Sequence, residues 1–584
     1  MPPSGKRVGA TPGEAGVEFR VWAPGATSVD LTGEATGGAR VAMTREADGH
    51  FATSVASARG GQRYHYVIRA STGEELSRLD PRGRQVDGTE SVIVDPRSFA
   101  WQTTTWSPPR REDTVVYELH VASFARRGTD VGRFEDVAGK LDWLAGLGVN
   151  AIELMPVNGF SPSSPKGWGY GPWHYYAPHT AYGTPDDLRR LVDLAHARGI
   201  AVLLDVVYNH TSSNTPLKCF DAPCGLDNGI YFFSDPAYKA TPWGPRPNFA
   251  RREVADFFVD NVFSWLSEYR IDGFRWDSVS NVRAIDGQGT VPGGSELIRT
   301  SNAVTRKVAP GALLVAEDLK GWDGITKAAA AGGLGFDTQW EGGFYYPLAG
   351  VITPADDASR NVGTVRDALL GSYNGDPFQR LLFTENHDTV GNGGARLPSR
   401  IDPADPGSWA ARKRSMLAAG LLFTTPGVPM LFMGQEMLAR GTFESTPDPL
   451  DWTLAASHGP IVAFYRDMIS LRKTSPGLRG AKVAVPHLND QGGNKVIVYR
   501  RWAKGGDDVM VLVNLAKKTY AQYDIGLPAG GTWKVKIDSD DTRYSADFAG
   551  AKNGDVIAVA TPRDGMPFMG SLKVGGYSVI VLEK

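Results

Sequence analysis

Eight short apolar runs, most of them separated by amphipathic helical stretches, fill the middle of this chain of 584 residues. The runs cover residues 115–119, 149–154, 200–207, 271–276, 312–316, 336–339, 380–383 and 428–432. Each has the length of a buried strand, and strands that alternate with helices favour a parallel sheet. Eight such strands predict a (β/α)8 TIM barrel, whose functional residues lie at the C-terminal ends of its strands.

Alternating strand patterns flank this barrel region on both sides. Clusters of Gly, Pro and Asp separate the strands at 17–22 and 64–68, which is typical of a small β-sandwich. A polar stretch containing proline follows that sandwich, and the strand pattern returns after the barrel, for example at 496–502. The sequence therefore predicts an N-terminal β-sandwich, a linker, the barrel and a C-terminal β-sandwich over residues 1–100, 101–112, 113–474 and 475–584.

Two helices between the barrel strands are well marked. Thr184 is the predicted N-cap of the first helix, Pro185 is its first residue, and Gly199 is the signal that ends it. The second helix, over residues 254–269, places its large apolar side chains on one face. The inserted region 207–250, after the third strand, is longer than a normal barrel loop, so we expect it to overhang the functional site.

The charge balance of the chain argues against several kinds of partner. Lys and Arg total 62 and Asp and Glu total 64, so the formal net charge is -2, which gives no reason to expect nucleic acid or an anionic membrane as a partner. The start of the chain lacks the apolar stretch of a signal peptide, and no run reaches transmembrane length. We therefore expect a cytoplasmic protein, and we expect it to act as a monomer.

The two cysteines, Cys219 and Cys224, lie in the inserted region with four residues between them. In a reducing cytosol we expect two free thiols in a loop, and a local disulfide is the alternative. No histidine or second cysteine pair stands near them at the spacing of a zinc site, so a metal is not expected there.

Two acids at the ends of predicted core strands, Asp277 and Glu317, mark the candidate site. A charged residue in such a place is costly unless it is paired or functional. Polar groups also close the third strand, at 205–210, and the seventh strand, at 385–388. A single acid near a strand end is more often a helix cap or an ion-pair partner, but four such groups at the same end of one barrel indicate an active site.

These residue types suit cleavage of a glycosidic bond with retention of the configuration at the anomeric carbon. One carboxylate attacks the anomeric carbon and a protonated carboxyl donates to the leaving oxygen, with the two groups about 5 to 5.5 Å apart. Arg275 lies two residues before Asp277 on the same strand, so it can pair with Asp277 and hold it ionised. The apolar run before Glu317 is compatible with a raised pKa, which an acid/base carboxyl needs.

Four segments at these strand ends resemble the four short sequence regions of the α-amylase superfamily of glycoside hydrolases. They are residues 205–210, 273–277, 316–318 and 386–388, and they follow the order and spacing of that family. The likeness covers nearly the whole chain, because the family also combines a carbohydrate-binding-like N-terminal sandwich, a barrel with an insertion after its third strand, and a C-terminal sandwich. The resemblance implies an α-glucan or maltooligosaccharide as the substrate.

The resemblance also implies roles for the residues of the candidate site. Asp277 would be the nucleophile and Glu317 the general acid/base, while Asp388 would grip the 2- and 3-hydroxyls of the sugar. The residues that would bind or support the same sugar around these three acids are Arg275, Asp205, His210, His387 and Tyr170.

The supporting residues differ in what they would contribute. Arg275 would orient the nucleophile, and Asp205 would support the site from behind. His210 and His387 would bind hydroxyl groups of the sugar. Tyr170 would stack on the sugar in the cleavage site, and a tyrosine of the core is the alternative interpretation.

Several further stretches bear on the branch of the superfamily. Residues 19–24 are similar to those of branching enzymes, debranching enzymes and maltooligosyltrehalose trehalohydrolases, and residues 243–248 and 389–392 are similar to the trehalohydrolases. Residues 415–436 and 449–452 look like bacterial 1,4-α-glucan branching enzymes. We favour branching in glycogen or starch metabolism. The alternatives are an α-amylase-type hydrolase, a trehalohydrolase, a non-catalytic glucan-binding protein and a regulatory assembly protein that uses the outer sandwiches.

No metal and no other cofactor is expected. Asn209 lies where some α-amylases bind a structural calcium, but the resemblance to branching enzymes implies that none is needed. Calcium takes about six to eight oxygen ligands. The acids of the inserted region, Asp221, Asp227 and Asp235, are too scattered to complete such a cage.

Overall fold

The computed structural model describes residues 5, 8–125, 128, 130–161, 163–225, 228–285, 289–548, 550 and 553–584. Asp227, considered above as an ion ligand, lies outside these residues. The described chain forms an N-terminal β domain, a closed eight-stranded barrel and a C-terminal β domain, which is the predicted fold class. Within the described chain, no helix combines the length and the apolar character needed to cross a membrane.

The N-terminal domain consists of two antiparallel sheets whose apolar faces meet. Its strands are β1 (Gly9–Gly13), β2 (Gly16–Trp22), β3 (Ala26–Thr32), β4 (Val41–Ala42), β5 (Thr44–Arg45), β6 (His50–Val55), β7 (Arg63–Ala70), β8 (Glu75–Arg78), β9 (Val86–Asp87) and β10 (Glu90–Val92). One sheet has the order β1-β2-β6-β5, and the other has the order β4-β3-β7-β10-β9 with β8 added to β7. Phe19 of β2 and Tyr64 of β7 join the sheets through an edge-to-face contact at 4.9 Å, and burial of such rings stabilises the sandwich.

The first half of the barrel consists of four barrel strands and the elements that lie between them in the chain. These elements are β11 (Val116–Leu119), α1 (Val121–Phe124), α2 (Phe134–Ala138), α3 (Leu141–Leu147), β12 (Ala151–Leu154), β13 (Asn158–Phe160), β14 (Pro172–Pro178), α4 (Pro185–His196), β15 (Ala201–Val206), β16 (Ala240–Thr241), β17 (Gly244–Pro245), α5 (Arg252–Tyr269) and β18 (Gly273–Trp276). Helix α4 begins where the sequence predicts, because the Thr184 hydroxyl accepts a hydrogen bond from the backbone N–H of Asp187 at 3.2 Å.

The second half of the barrel completes the closed sheet. Its elements are α6 (Val279–Arg283), α7 (Gly294–Val308), β19 (Leu313–Ala316), β20 (Thr338–Trp340), α8 (Gly342–Ile352), α9 (Val362–Leu370), β21 (Arg380–Phe383), α10 (His387–Val390), α11 (Leu397–Ile401), α12 (Trp409–Thr424), β22 (Val428–Phe432), α13 (Thr453–Ser457), α14 (Gly459–Thr474) and α15 (Pro476–Arg479). The strands close in the order β11-β12-β15-β18-β19-β20-β21-β22, with every neighbouring pair parallel. All eight predicted runs therefore form barrel strands.

The interior of the barrel changes from apolar to charged towards the C-terminal ends of its strands. Alternate strand residues such as Val116, Leu203, Val315 and Leu381 pack against each other inside the barrel. The next inward positions along β11, β12, β15 and β18 carry the buried charged side chains Glu118, Glu153, Asp205 and Arg275. Buried charges need partners or must be neutralised, so this layer constrains the site that lies on top of it.

The inserted region 207–250 is attached to both the barrel and the N-terminal domain. It contains the short antiparallel pair β16–β17, and its rings Phe220 and Tyr231 are buried in the main core. The Asp221 carboxylate accepts a hydrogen bond from the backbone N–H of Gly25 in the N-terminal domain at 2.7 Å. The insertion is therefore held by packing and by contacts with a second domain.

The expectation of two free thiols is wrong, because Cys219 and Cys224 form a disulfide. Cys219 adopts a left-handed backbone conformation, with φ of 51°, and the turn brings the two Cα atoms to 5.1 Å. That separation lies within the range that a disulfide requires. The spacing of the cysteines in the sequence does not reveal this turn, and a reducing cytosol favours free thiols.

The C-terminal domain is built on one large antiparallel sheet. Its strands are β23 (Lys482–Asn489), β24 (Val496–Trp502), β25 (Val509–Asn514), β26 (Tyr520–Leu527), β27 (Gly531–Asp538), β28 (Val556–Ala558), β29 (Phe568–Val574) and β30 (Ser578–Glu583). The large sheet has the order β23-β24-β25-β30-β27-β28, and β26 pairs with β29. Val496, Ile525 and Leu572 belong to a separate apolar core between these two layers.

Helix α12 carries a close contact between the barrel and the C-terminal domain. The ammonium group of Lys413 pairs with Asp540 at 2.6 Å, and both side chains are buried. Gly420, farther along the same helix, lies so near β30 that a Cβ would come within 2.5 Å of a methyl carbon of Val579. The absence of a side chain at Gly420 therefore allows the two domains to approach each other.

We expect Gly420→Ala to destabilise the protein, although alanine is the better helix former. The added Cβ overlaps the buried Val579 side chain, and such overpacking costs about 1–3 kcal/mol. Thermal unfolding followed by circular dichroism should show a lower midpoint. Gly146→Ala in α3 is the matched control, because a Cβ there meets nothing within 4 Å and should raise the midpoint through helix propensity. A Gly420→Ala midpoint at or above the wild-type value would contradict this account.

Candidate active site

The predicted site residues converge at the C-terminal mouth of the barrel. Asp205 of β15 is paired in register with Arg275 of β18. Asp277 and Glu317 directly follow β18 and β19, and Asp388 lies in the first turn of α10 after β21. The closed sheet therefore brings together acids that come from separate strands.

The buried guanidinium of Arg275 is the centre of this group. Its Nη1 donates to both carboxylate oxygens of Asp205 at 2.8 Å and to Oδ1 of Asp277 at 2.9 Å. Its Nη2 lies 3.7 Å from Oε2 of Glu317. The Trp340 ring packs against the guanidinium, with its centroid 4.4 Å from Cζ. One cation therefore holds three carboxyl groups in a fixed relation.

The carboxylate of Asp277 has a donor on each oxygen. Oδ1 accepts from Arg275, and Oδ2 accepts from the side-chain amide of Asn209 at 2.6 Å. The same amide also donates to the backbone carbonyl of Asp277 at 3.1 Å. These hydrogen bonds fix the orientation of the carboxylate, and they include the pairing with Arg275 that the sequence predicts.

The carboxyl group of Glu317 is in different surroundings. Burial raises its pKa to about 7; Arg275 acts against this rise, and the negative charges of Asp277 and Asp388 reinforce it. Its Oε2 accepts a hydrogen bond from the backbone N–H of Ser278 at 2.5 Å. A carboxyl group with a pKa near neutrality can both give and take a proton at neutral pH.

Asp388 is the most open of the three acids. Its side chain is 39% exposed, compared with 15% for Asp277 and 18% for Glu317. The Asn392 amide donates to Oδ1 of Asp388 at 3.0 Å, and Nε2 of His387 lies 3.4 Å from the same oxygen. One oxygen of Asp388 is thus held by neighbouring side chains within an accessible part of the site.

Glu118, which the sequence analysis missed, holds His387 from inside the barrel. Its Oε1 lies 2.5 Å from Nδ1 of His387, and its Oε2 accepts from the His387 backbone N–H at 3.1 Å. Burial opposes protonation of the imidazole, but Asp388 and Glu118 together raise its pKa to about 9. An acid in the middle of the apolar run 115–119 was the signal that could have identified it.

A second overlooked acid, Glu153, lies beside Glu118 on the neighbouring strand. The two residues are paired in register between β11 and β12. Neither carboxyl oxygen of Glu153 has a hydrogen-bond partner among the described residues. Burial raises the pKa of Glu153 well above its usual value, and the charges of Glu118 and Asp205 add to the effect. Burial without a partner therefore favours the protonated form of Glu153 beneath the site.

Tyr170 and His210 are at the site, but their polar atoms contact protein groups. The Tyr170 ring stacks on His387 with centroids 4.9 Å apart, and its hydroxyl donates to Asp205. Nε2 of His210 lies 2.7 Å from the Tyr170 carbonyl oxygen, and Nδ1 lies 2.5 Å from Oδ1 of Asn209. These contacts place both side chains beside the acids. Binding of a sugar by either residue stays a prediction.

Three domain families match separate parts of the chain. Residues 7–83 match carbohydrate-binding module 48 (isoamylase N-terminal domain), residues 115–222 match the alpha amylase catalytic domain, and residues 487–584 match the alpha amylase C-terminal all-beta domain. The 1,4-alpha-glucan branching enzyme GlgB of Corynebacterium efficiens is 30% identical, over 95% of this chain and 79% of that enzyme. The chain belongs to the α-amylase family. GlgB of Corynebacterium glutamicum is 29% identical over 96% of this chain and 80% of its own length.

Solved structures share the fold of this α-amylase family enzyme. The pullulanase of Anoxybacillus sp. LM18-11 complexed with maltotetraose has a TM-score of 0.78 and 20% identity, over 99% of this chain and 87% of its own. The apo pullulanase of Paenibacillus barengoltzii has a TM-score of 0.77 and 22% identity, over 99% of this chain and 94% of its own. At these identities the likeness shows the fold alone.

One group of side chains in the described part of this α-amylase family chain has the spacing of a metal site. It consists of Glu46, Asp48 and His50 in the N-terminal domain. Glu46 already forms an ion pair with Arg20, so the group is part of a charge network on the sandwich. At the barrel mouth, the side chain of Asn209 is engaged with protein neighbours through both its amide nitrogen and its oxygen.

Replacement of Glu153 by glutamine should stabilise the protein at neutral and alkaline pH. The folded state keeps the proton on Glu153, whereas the unfolded chain releases it above about pH 4.3. The wild type therefore loses stability as the pH rises from that value towards the raised pKa of the folded state. Glutamine does not titrate, so the free energy of unfolding of the variant minus that of the wild type should increase by up to about 1.4 kcal/mol per pH unit.

Urea unfolding between about pH 5 and pH 8 measures this difference. Asp205 and Glu317 titrate in both the wild type and the variant, so their contributions to the pH dependence cancel in the difference between the two. Glu18→Gln, at an exposed position of β2, is the control and should show no trend with pH. A stability difference for Glu153→Gln that stays constant or shrinks as the pH rises would mean that Glu153 is ionised in the folded protein.

Proposed function

We propose that this member of the α-amylase family is a 1,4-α-glucan branching enzyme. It cleaves an α-1,4 bond of an α-glucan and transfers the chain that stays bound to the enzyme to a 6-hydroxyl of a second segment. The observation that carries the chemistry is the pair of acids beside Arg275: Asp277 has a donor on each oxygen, and Glu317 has a pKa of about 7. The relatives named 1,4-alpha-glucan branching enzyme GlgB, which align along nearly the whole chain, support the choice of branching.

In the first step, Asp277 attacks the anomeric carbon of the glucose unit at the point of cleavage. A bond forms between C1 and a carboxylate oxygen of Asp277 while the bond from C1 to the leaving O4 breaks, and the proton of Glu317 passes to O4. The products are a glycosyl ester on Asp277, a free chain end and a carboxylate at Glu317. Arg275 supports both states, because it contacts both acids.

In the second step, the Glu317 carboxylate takes the proton of the acceptor hydroxyl. The acceptor oxygen bonds to C1, the ester bond breaks, and Asp277 recovers its charge. A glucan 6-hydroxyl as acceptor forms an α-1,6 branch, and water as acceptor gives hydrolysis. Two inversions at C1 retain the α configuration in either case.

The sugar at the point of cleavage is held by groups that flank the two acids. Asp388 is accessible, and its oxygens accept hydrogen bonds from the 2- and 3-hydroxyls. His387, which Glu118 and Asp388 keep protonated at neutral pH, donates from Nε2 on the same side. Tyr170 offers the exposed part of its ring to the apolar face of the sugar.

The separate roles of the two acids predict different responses to a substrate with a good leaving group. Fluoride departs without protonation, so Glu317→Gln should release the first equivalent of fluoride from α-maltotriosyl fluoride at nearly the wild-type rate. The same variant should lose about 10²–10⁴-fold in rate on amylose. Asp277→Asn should lose both reactions, because no nucleophile remains. An equal loss of both reactions in Glu317→Gln would contradict its role as the acid.

The pH dependence of the wild type provides a control for this assignment. Glu317 must carry its proton in the first step, so kcat/KM on amylose should fall about tenfold per pH unit above about pH 7. Release of fluoride from α-maltotriosyl fluoride should lack this alkaline decline. A decline shared by both substrates would assign the titrating group to another residue.

Incubation with amylose separates branching from the alternative reactions. Branching lowers the iodine colour with few new reducing ends, and the product then contains α-1,6 bonds that a debranching enzyme opens. A steep rise in reducing ends without such bonds would reject branching in favour of hydrolysis. Release of trehalose from maltooligosyltrehalose would assign the trehalohydrolase reaction. If Glu317→Gln matched the wild type on amylose, the protein would bind glucan without catalysis at this site.

A further inference from the structure

Three aromatic side chains among the described residues are more than a third exposed to solvent: Trp243 at 56%, Trp322 at 40% and Tyr346 at 63%. They follow the barrel strands β15, β19 and β20, so all three lie at the C-terminal mouth with the catalytic acids. An exposed ring of this kind can stack on the apolar face of a sugar. The mouth therefore offers aromatic surfaces beyond the residues that hold the cleaved sugar.

Tyr346 lines a groove of about 300 Å³ that reaches Asp388. Leu319 and Gly342 lie beside the Tyr346 ring in this lining, which also includes Asn392. Asp388 belongs to the lining and Asp277 and Glu317 do not, so the groove adjoins the proposed cleavage site at Asp388. A chain that extends from the cleavage point can enter this groove directly.

The ring of Tyr346 is held in place by its neighbours. It contacts Tyr345 edge to face at 5.0 Å, and Tyr345 stacks on Phe383 of the barrel wall at 5.4 Å. A Cβ on Gly342 would come within 3.3 Å of the Tyr346 ring, so the glycine leaves room for the ring. A ring that is already fixed loses little conformational freedom when a ligand binds.

The position of Glu317 indicates which part of the substrate this groove binds. The acid that protonates the leaving oxygen lies on the side of the leaving chain, and the acceptor approaches C1 from that side in the second step. Leu319, two residues after Glu317, lines the groove. We propose that the groove binds the acceptor glucan chain, with Tyr346 stacked on one of its glucose units. This assignment rests on the proposed function of the catalytic acids.

A binding measurement tests the groove without any turnover. In a Glu317→Gln background, Tyr346→Ala should weaken the binding of maltoheptaose about tenfold in calorimetry, because one sugar–aromatic contact is lost. Tyr346→Phe keeps the ring and should retain the affinity. Ile557→Ala, at an exposed apolar position of the C-terminal domain, is the control and should have no effect. An unchanged affinity in Tyr346→Ala would overturn the proposal.

A second measurement separates this proposal from the proposed function. In the otherwise wild-type enzyme, Tyr346→Ala should lower the ratio of α-1,6 bonds to new reducing ends on amylose at least threefold, because water then competes better with the glucan acceptor. An unchanged ratio would also overturn the acceptor assignment. If the wild type itself formed no α-1,6 bonds, branching would fail as the function, and the maltoheptaose measurement would still decide whether Tyr346 binds glucan.

Discussion

The guanidinium of Arg275 is the interaction on which the rest of the site depends. It donates to Asp205 and Asp277 and lies near Glu317, so a single cation inside the barrel compensates three carboxyl groups. Loss of one partner from such a buried pair costs about 3–5 kcal/mol, because the other charge is left in a medium that solvates it poorly. The same cation limits the effect of burial on Glu317, whose pKa of about 7 would suit the acid/base role proposed for it.

The charges beneath the site balance each other in a layer of the barrel interior. Glu118 binds His387 through both of its oxygens, and the raised pKa of His387 provides a second cation beside Asp388. Glu153, beside Glu118, has a pKa raised well above its usual value, because a further negative charge in this layer would have no partner. The orientation of the His387 ring is therefore set by a residue of the first barrel strand.

The loops at the barrel mouth add surfaces to this rigid centre. The inserted region is tied by the Cys219–Cys224 disulfide and by the contact of Asp221 with the N-terminal domain, and it carries Trp243 to within 5.6 Å of the His210 ring. Tyr346, in helix α8, is supported from the barrel wall through its neighbours. Loops positioned by a rigid scaffold commonly determine which substrates reach the same catalytic groups.

The sequence by itself determined the barrel, because eight apolar runs with helices between them have few other ways to bury their surfaces. It also predicted that Asp277, Glu317 and Arg275 lie together at the strand ends, and the structure places them side by side. The tertiary structure alone decided which distant groups meet. Glu118 and His387 are 269 residues apart in the chain, so no local pattern links them. The turn that joins Cys219 to Cys224 was likewise hidden from their spacing. Local patterns specify the type and burial of an element, whereas closure of the barrel specifies the partners of its buried charges.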